Sequence, residues 1–94
     1  MLLYYKNKCL GEIKGATVEG IWIYGTIIPN NNMEKFKEFF KALVNEDDPF
    51  AIEQYSEEWL DDENWFIIDE KQKKVGISLP GIYENDNEIN WRWR

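Results

Sequence analysis

The sequence predicts a single α+β domain over residues 1–94. Its expected sheet is largely antiparallel, with five to six strands in the order β-β-β-α-(α)-β-β-β and one or two helices packed on it. Three observations predict this. Short runs rich in Ile, Val, Tyr and Trp, bounded by turn residues, fill both ends of the chain, and that is strand composition. Between them, residues 31–44 carry apolar side chains at helical spacing. The chain is 44% hydrophobic and holds five each of Trp, Tyr and Phe, enough for one core but too short for two domains.

The stretch LLYYKNKCLGEI reads as a strand, a polar turn at Lys6–Lys8 and a second strand. Gly15 and Gly20 are expected to bracket a further reversal. In GIWIYGTIIP both alternating faces are apolar, Ile21, Ile23 and Ile27 on one, Trp22, Tyr24 and Ile28 on the other. A strand buried on both faces, in the middle of the sheet, is expected there. Pro29 and Asn30–Asn32 close it. Phe36, Phe39, Phe40, Leu43 and Val44 then recur at i, i+3, i+4, i+7 and i+8, an amphipathic helix with Glu34, Lys35, Lys37, Glu38 and Lys41 outside. Asn31 is its expected cap, with Glu34 three residues on. A second helix is expected with Asp48 as cap, Pro49 in its first turn and Ala51, Ile52, Tyr55, Trp59 and Leu60 inward. Ser56 is the alternative start of a shorter helix.

NWFIID returns to strand composition, and Glu70–Lys73 forms a polar turn. KVGISL places Val75, Ile77 and Leu79 inward, Gly76 and Ser78 outward. Pro80–Gly81 suits a type II turn. IYE and EINWRWR pair across Asn85–Asn87. In a strand, residues two apart share a face. Ile89, Trp91 and Trp93 therefore point into the core, while Asn90, Arg92 and Arg94 face solvent with the arginines able to meet acids of residues 46–70. The competing reading of this ending is an edge strand whose Trp face binds a partner, since Trp and Arg are enriched at hot spots.

Charge is unevenly placed. The formal net charge is -7, yet residues 1–45 and 71–94 are each +2, because residues 46–70 hold eleven acids and no base. With no comparable basic cluster, bulk nucleic-acid binding is not expected. No run approaches the roughly 18 apolar residues of a membrane span. The first residues, MLLYYKNKCLGEI, do not read as a signal peptide, so a cytoplasmic location is expected. The single cysteine, Cys9, allows no internal disulfide and no cysteine metal cluster.

The chain has no histidine, which removes histidine-activated nucleophiles and histidine zinc sites. Gly11, Gly15, Gly20 and Gly25 are spaced for turns and bends, not for a phosphate loop. Cys9 has a cationic neighbour in Lys8 but no base or resolving thiol, and reads as an ordinary strand position. Glu57 and Asp61, one helical turn apart, are a candidate acid–base or cation pair, but their neighbours look solvated. ENDNE, residues 84–88, lacks the glycine and terminal Glu spacing of a calcium loop and reads as a solvated hairpin tip. No cofactor or metal is expected.

Two stretches, LGEIKGATVEGIWIYGTIIP and WFIIDEKQKKVGISLPGIYENDNEINWRWR, carry a G-x-I…G-x-W-x-Y-G-x-x-x-P pattern and a terminal Trp-Arg strand around an acidic middle. In these the chain resembles a family of small uncharacterised bacterial proteins. The resemblance implies an α+β domain and carries over no catalytic residue. The chain departs from the family in lacking its usual glycine in the 69–73 turn.

The leading expectation is a non-enzymatic interaction protein that meets a basic protein partner through Glu57, Glu58, Trp59, Asp61, Asp62 and Glu63, as an inhibitor or immunity protein would. It rests on an apparent conflict: acids crowd the C-terminal half of the second helix, where the macrodipole disfavours them, around one aromatic anchor. The alternative is a small-molecule-binding domain or simple enzyme with Asp69 or Glu12 in a cleft beside the sheet. A homodimer through an edge strand is a third reading.

Overall fold

The computed structural model describes all residues except Glu46 and Pro49. Seven strands form one antiparallel sheet: β1 Leu2–Tyr5, β2 Lys8–Glu19, β3 Trp22–Pro29, β4 Trp65–Ile68, β5 Lys74–Gly76, β6 Gly81–Tyr83 and β7 Glu88–Trp91. Their spatial order is β5-β4-β1-β2-β3-β7-β6. The α+β class and the grouping of strands on either side of the helices are as expected. The count is seven, not five to six, and Gly81 opens β6 where a type II turn was expected. The chain runs on through Ser78–Pro80 and pairs Gly81, Ile82 and Tyr83 with Asn90, Ile89 and Glu88.

The two ends of this sheet meet. Ile77, just past β5, bridges Trp93, just past β7. Ser78 N–H donates to the Arg92 carbonyl at 3.0 Å and Arg94 N–H to the Gly76 carbonyl at 3.2 Å. On its other side Ile77 N–H donates to the Trp65 carbonyl at 3.1 Å. Residues 74–83 thus act as one interrupted strand between β4 and β7, and the sheet closes into a barrel. Closure removes the unpaired N–H and C=O rows that an open sheet leaves at its edges. The curvature has visible causes in β2, whose register slips opposite Leu3–Tyr4 and between Lys14 and Thr17. At the second slip Gly15 has φ +64, the left-handed conformation a bulge of this kind requires. Gly15 is therefore a bulge inside β2, and the reversal falls at Gly20 alone, with φ +65.

Alternation sends Leu3, Tyr5, Leu10, Ile13, Ile23, Ile27, Trp65, Ile67, Ile89 and Trp91 into the core. β3 is buried on one face only: Ile23 and Ile27 are inside, whereas Trp22 and Ile28 are exposed, and Ile21, expected inside, is exposed because it lies in the turn before the strand. The helical segment begins one residue earlier than expected. Asn30, not Asn31, caps it, its Oδ1 accepting from Asn32 N–H at 2.9 Å. A 3-10 stretch, Asn31–Phe36, leads into α1, Lys37–Leu43. Met33, Phe36, Phe39 and Phe40 close over the sheet, with Phe36 5.0 Å and 5.5 Å from the rings of Tyr5 and Trp65.

The second helix is broken. Ala51–Gln54 is a 3-10 turn, and α2 is only Glu57–Leu60, capped by Ser56, whose Oγ accepts from Glu58 N–H. Asp62–Asn64 is a further 3-10 turn. The alternative start at Ser56 is thus the one adopted. Asp48 accepts from Phe50 N–H at 3.2 Å, and the role expected of Pro49 lies outside the described residues. Among the described residues no helix is long and apolar enough to cross a membrane.

In the 69–73 turn, Asp69 Oδ1 accepts from the N–H groups of Lys71 and Lys73 at 2.9 and 3.0 Å. Gln72 stands at φ +64, so it occupies the conformation that a glycine would hold without strain. Left-handed strain of roughly 1–2 kcal/mol at a non-glycine residue exceeds glycine's entropic cost of roughly 0.5–1 kcal/mol. Gln72→Gly is therefore expected to raise stability by about 0.5 kcal/mol in urea unfolding. A loss of stability would show that the turn is not held in this form.

Candidate functional site

Residues 56–64 form a ledge across the outside of the barrel. The chain bends at Ser56 and again at Asp61, so the acids do not extend one helix. Glu57 and Glu58 lie in the first turn of α2, where the N-terminal partial charge favours carboxylates. Asp61 caps the following turn, its Oδ1 accepting from Glu63 N–H at 3.0 Å. Asp62 Oδ1 accepts from Leu79 N–H at 2.7 Å. The electrostatic conflict expected of a long second helix is absent, because that helix ends at Leu60. Glu57 and Asp61 accordingly do not stack as a one-turn carboxylate pair.

Glu57, Glu58, Asp61, Asp62 and Glu63 are all exposed. Trp59 is not their exposed anchor. It turns inward and stands 4.5 Å from Phe36, 5.4 Å from Phe39 and 5.9 Å, stacked, from Tyr55. Its carbonyl accepts the indole N–H of buried Trp65 at 2.8 Å. The ledge is pinned at its margins as well. Lys6 N–H donates to the Asn64 carbonyl at 2.8 Å, and Asn64 Nδ2 donates to the Glu58 carbonyl at 2.9 Å. Lys6 Nζ also reaches Glu58 at 3.2 Å, and that carboxylate raises the lysine above its usual value. This is the one ion pair that the ledge makes among the described residues.

The arginines do not pair with the acids. Arg94 forks instead onto main-chain carbonyls, with Nε to Ile77 at 2.8 Å and Nη2 to Trp65 at 3.1 Å and Glu63 at 3.3 Å. Arg92 lies over the Trp22 ring, 5.8 Å from its centroid. Trp91 is buried as expected. Trp93 is exposed, because β3 pairs with β7 only as far as Ile23 opposite Trp91 and does not reach it.

The carboxylates of the alternative reading are elsewhere. Glu12 is exposed and paired with Lys14 at 3.4 Å, and Asp69 is occupied with its turn. A cleft does lie beside the sheet, between α1 and the β6–β7 hairpin, with a volume of about 370 Å³. Its floor is Ile27, Met33, Phe40 and Ile82, and its rim carries the Lys37–Glu84 pair at 3.2 Å. Neither Glu12 nor Asp69 lines it. Spacing alone identifies the helical wall of this cleft, but not the hairpin facing it. Ser78, expected outside, is buried, with its Oγ 3.4 Å from the Arg92 carbonyl.

Comparison with family models, with curated proteins and with solved structures gives no match.

Proposed function

We propose that the chain is a non-enzymatic, cytoplasmic interaction protein whose 57–63 ledge receives a basic protein partner. The observation that carries this reading is the rigid display of five exposed carboxylates on one short ledge with a single counter-ion. Caps, the Trp65–Trp59 hydrogen bond and the Lys6 and Leu79 contacts hold the backbone, so little conformational freedom is lost on binding. Fixed like charges also steer a cationic partner and speed its encounter. An inhibitor of a nucleic-acid-binding protein would use such a surface.

The test is a pull-down with wild type and a Glu57→Gln, Glu58→Gln, Asp61→Asn, Glu63→Gln variant, at low and moderate salt. Asn at 61 keeps the cap, and Asp62 is spared because it holds Leu79. The expected result is a partner retained by the wild type only and released as salt rises. Recovery of the same partner by both proteins, or of none by either, overturns the reading.

A second reading is favoured by the cleft beside α1, whose apolar floor and charged rim suit a small amphipathic molecule. Chemical-shift changes confined to Met33, Phe40 and Ile82 during a titration with such compounds would support it over the ledge.

A further inference from the structure

One end of the barrel carries an apolar surface that adjoins the ledge at Asp62. Val18 is 71% exposed, Ile21 66%, Trp93 42% and Trp22 38%. Val18, Ile21 and Trp93 surround one depression of about 480 Å³, which Asp62, Arg92 and Arg94 also line. Trp22 joins it through Arg92, which lies over its ring. Isolated exposed apolar residues need no explanation, but four large ones gathered at one place mark a contact surface. They are also held in place. Trp93 stands edge-on to buried Trp91, with centroids 6.0 Å apart at 83°, and Val18, Ile21 and Trp22 sit on the tight β2–β3 reversal at Gly20. Covering them therefore costs little side-chain ordering.

We infer that a second copy of this chain covers that end, forming a two-fold symmetric dimer. Charge selects the occupant. A chain of net charge -7 repels its own copy over most of its surface. The chain has only two arginines, and both lie at this depression beside Asp62. Local charge is thus close to balanced where the apolar side chains are exposed. A basic partner of the kind the ledge suits meets Arg92 here, so the two surfaces favour different occupants, although they adjoin at Asp62. In a two-fold contact every pairing occurs twice. Arg92 of one copy then faces Asp62 of the other, and the reverse, around a centre of Ile21, Val18 and the two tryptophans. The contact uses side chains and leaves intact the main-chain pairing of residues 92–94 with 76–78.

The test is sedimentation equilibrium of the wild type over a dilution series reaching the order of 100 µM, where contacts of micromolar affinity are filled. The expected mass is that of two copies. Val18→Ser with Ile21→Ser, at exposed positions, is expected to weaken the dimer at least tenfold, with an unfolding midpoint unchanged at dilutions where the wild type is monomeric. Arg92→Glu and Asp62→Lys are each expected to be monomeric, since both pairings become repulsive. An equimolar mixture of the two is expected to form a mixed dimer, because both pairings are then attractive. Circular dichroism of Asp62→Lys checks that losing the Leu79 contact leaves the fold in place, and Arg92→Glu alone keeps the test decisive if it does not. A wild type that stays monomeric overturns the inference and leaves this end to a different protein. So does a dimer indifferent to the Val18 and Ile21 changes, which would use another face.

Discussion

Trp65→Ala is expected to destabilise the chain by about 3–5 kcal/mol, the usual range for deleting a fully buried large aromatic residue. Trp65 has no exposed surface, and its ring lies 5.0 Å from Tyr5, 5.4 Å from Phe40 and 5.5 Å from Phe36. It therefore joins the first strand, the helical segment and β4 in one cluster. Its indole N–H supplies the hydrogen bond that holds Trp59 and with it the ledge. Alanine leaves both a cavity and an orphaned carbonyl. Trp65→Phe keeps part of the ring volume and is expected to lose about half as much. Since small domains have roughly 5–15 kcal/mol in total, the alanine variant stands close to unfolding at 25 °C. Urea unfolding measures the loss directly, and faster amide exchange at 57–63 is its local signature. A loss below about 1 kcal/mol would mean that the ring is not packed as described.

Arg94→Ala is expected to cost about 2 kcal/mol, because charged donors to carbonyls are worth more than neutral ones. One guanidinium bonds the carbonyls of Glu63, Trp65 and Ile77 and lies over the Phe66 ring, 5.2 Å from its centroid. It thus clasps β4, the 74–83 strand and the end of the ledge at the point where the sheet closes. Arg94→Lys should recover only a fraction, since a point charge does not reproduce the fork. Arg92→Ala is the matched control at dilutions where the chain is monomeric, with only its position over Trp22 to lose there, and should stay within about 0.5 kcal/mol. Gly76→Ala acts on the clasp from the other side. A Cβ there falls 2.5 Å from Arg94 Nη2, so the guanidinium must move away. Equal unfolding midpoints for Arg94→Ala and Arg92→Ala would show that Arg94 does not hold the barrel shut.

These two variants probe different parts of what the sequence reveals. Trp65 was legible as part of a run of strand composition, NWFIID, whose inward face the fold assigned. The role of Arg94 was not. Period-two alternation assigns it to the outer face correctly, but nothing local says that three carbonyls from residues 63, 65 and 77 converge there. The acidic ledge failed in a related way. Counting charges located the acids, whereas their relation to a helix dipole depended on where the chain bends. Ser56 and Asp61 each bond a main-chain N–H two residues on, and the bends leave the acids in first turns.

By itself the sequence determined what local spacing controls. It set the inward face of β7 and of the Phe36–Phe40 turn, the hairpin at Asn85–Asn87 and the α+β class, because side-chain direction follows from backbone period. Tertiary structure alone decided what each face meets. Trp91 and Trp93 share a face, yet Trp91 is covered and Trp93 is open, because the neighbouring strand reaches one and not the other. Likewise Pro80–Gly81 turns or runs straight according to whether β7 lies alongside to accept it. Residues 76–78 and 92–94 close the sheet for the same reason: main-chain hydrogen bonds between distant segments carry no signature in either one alone.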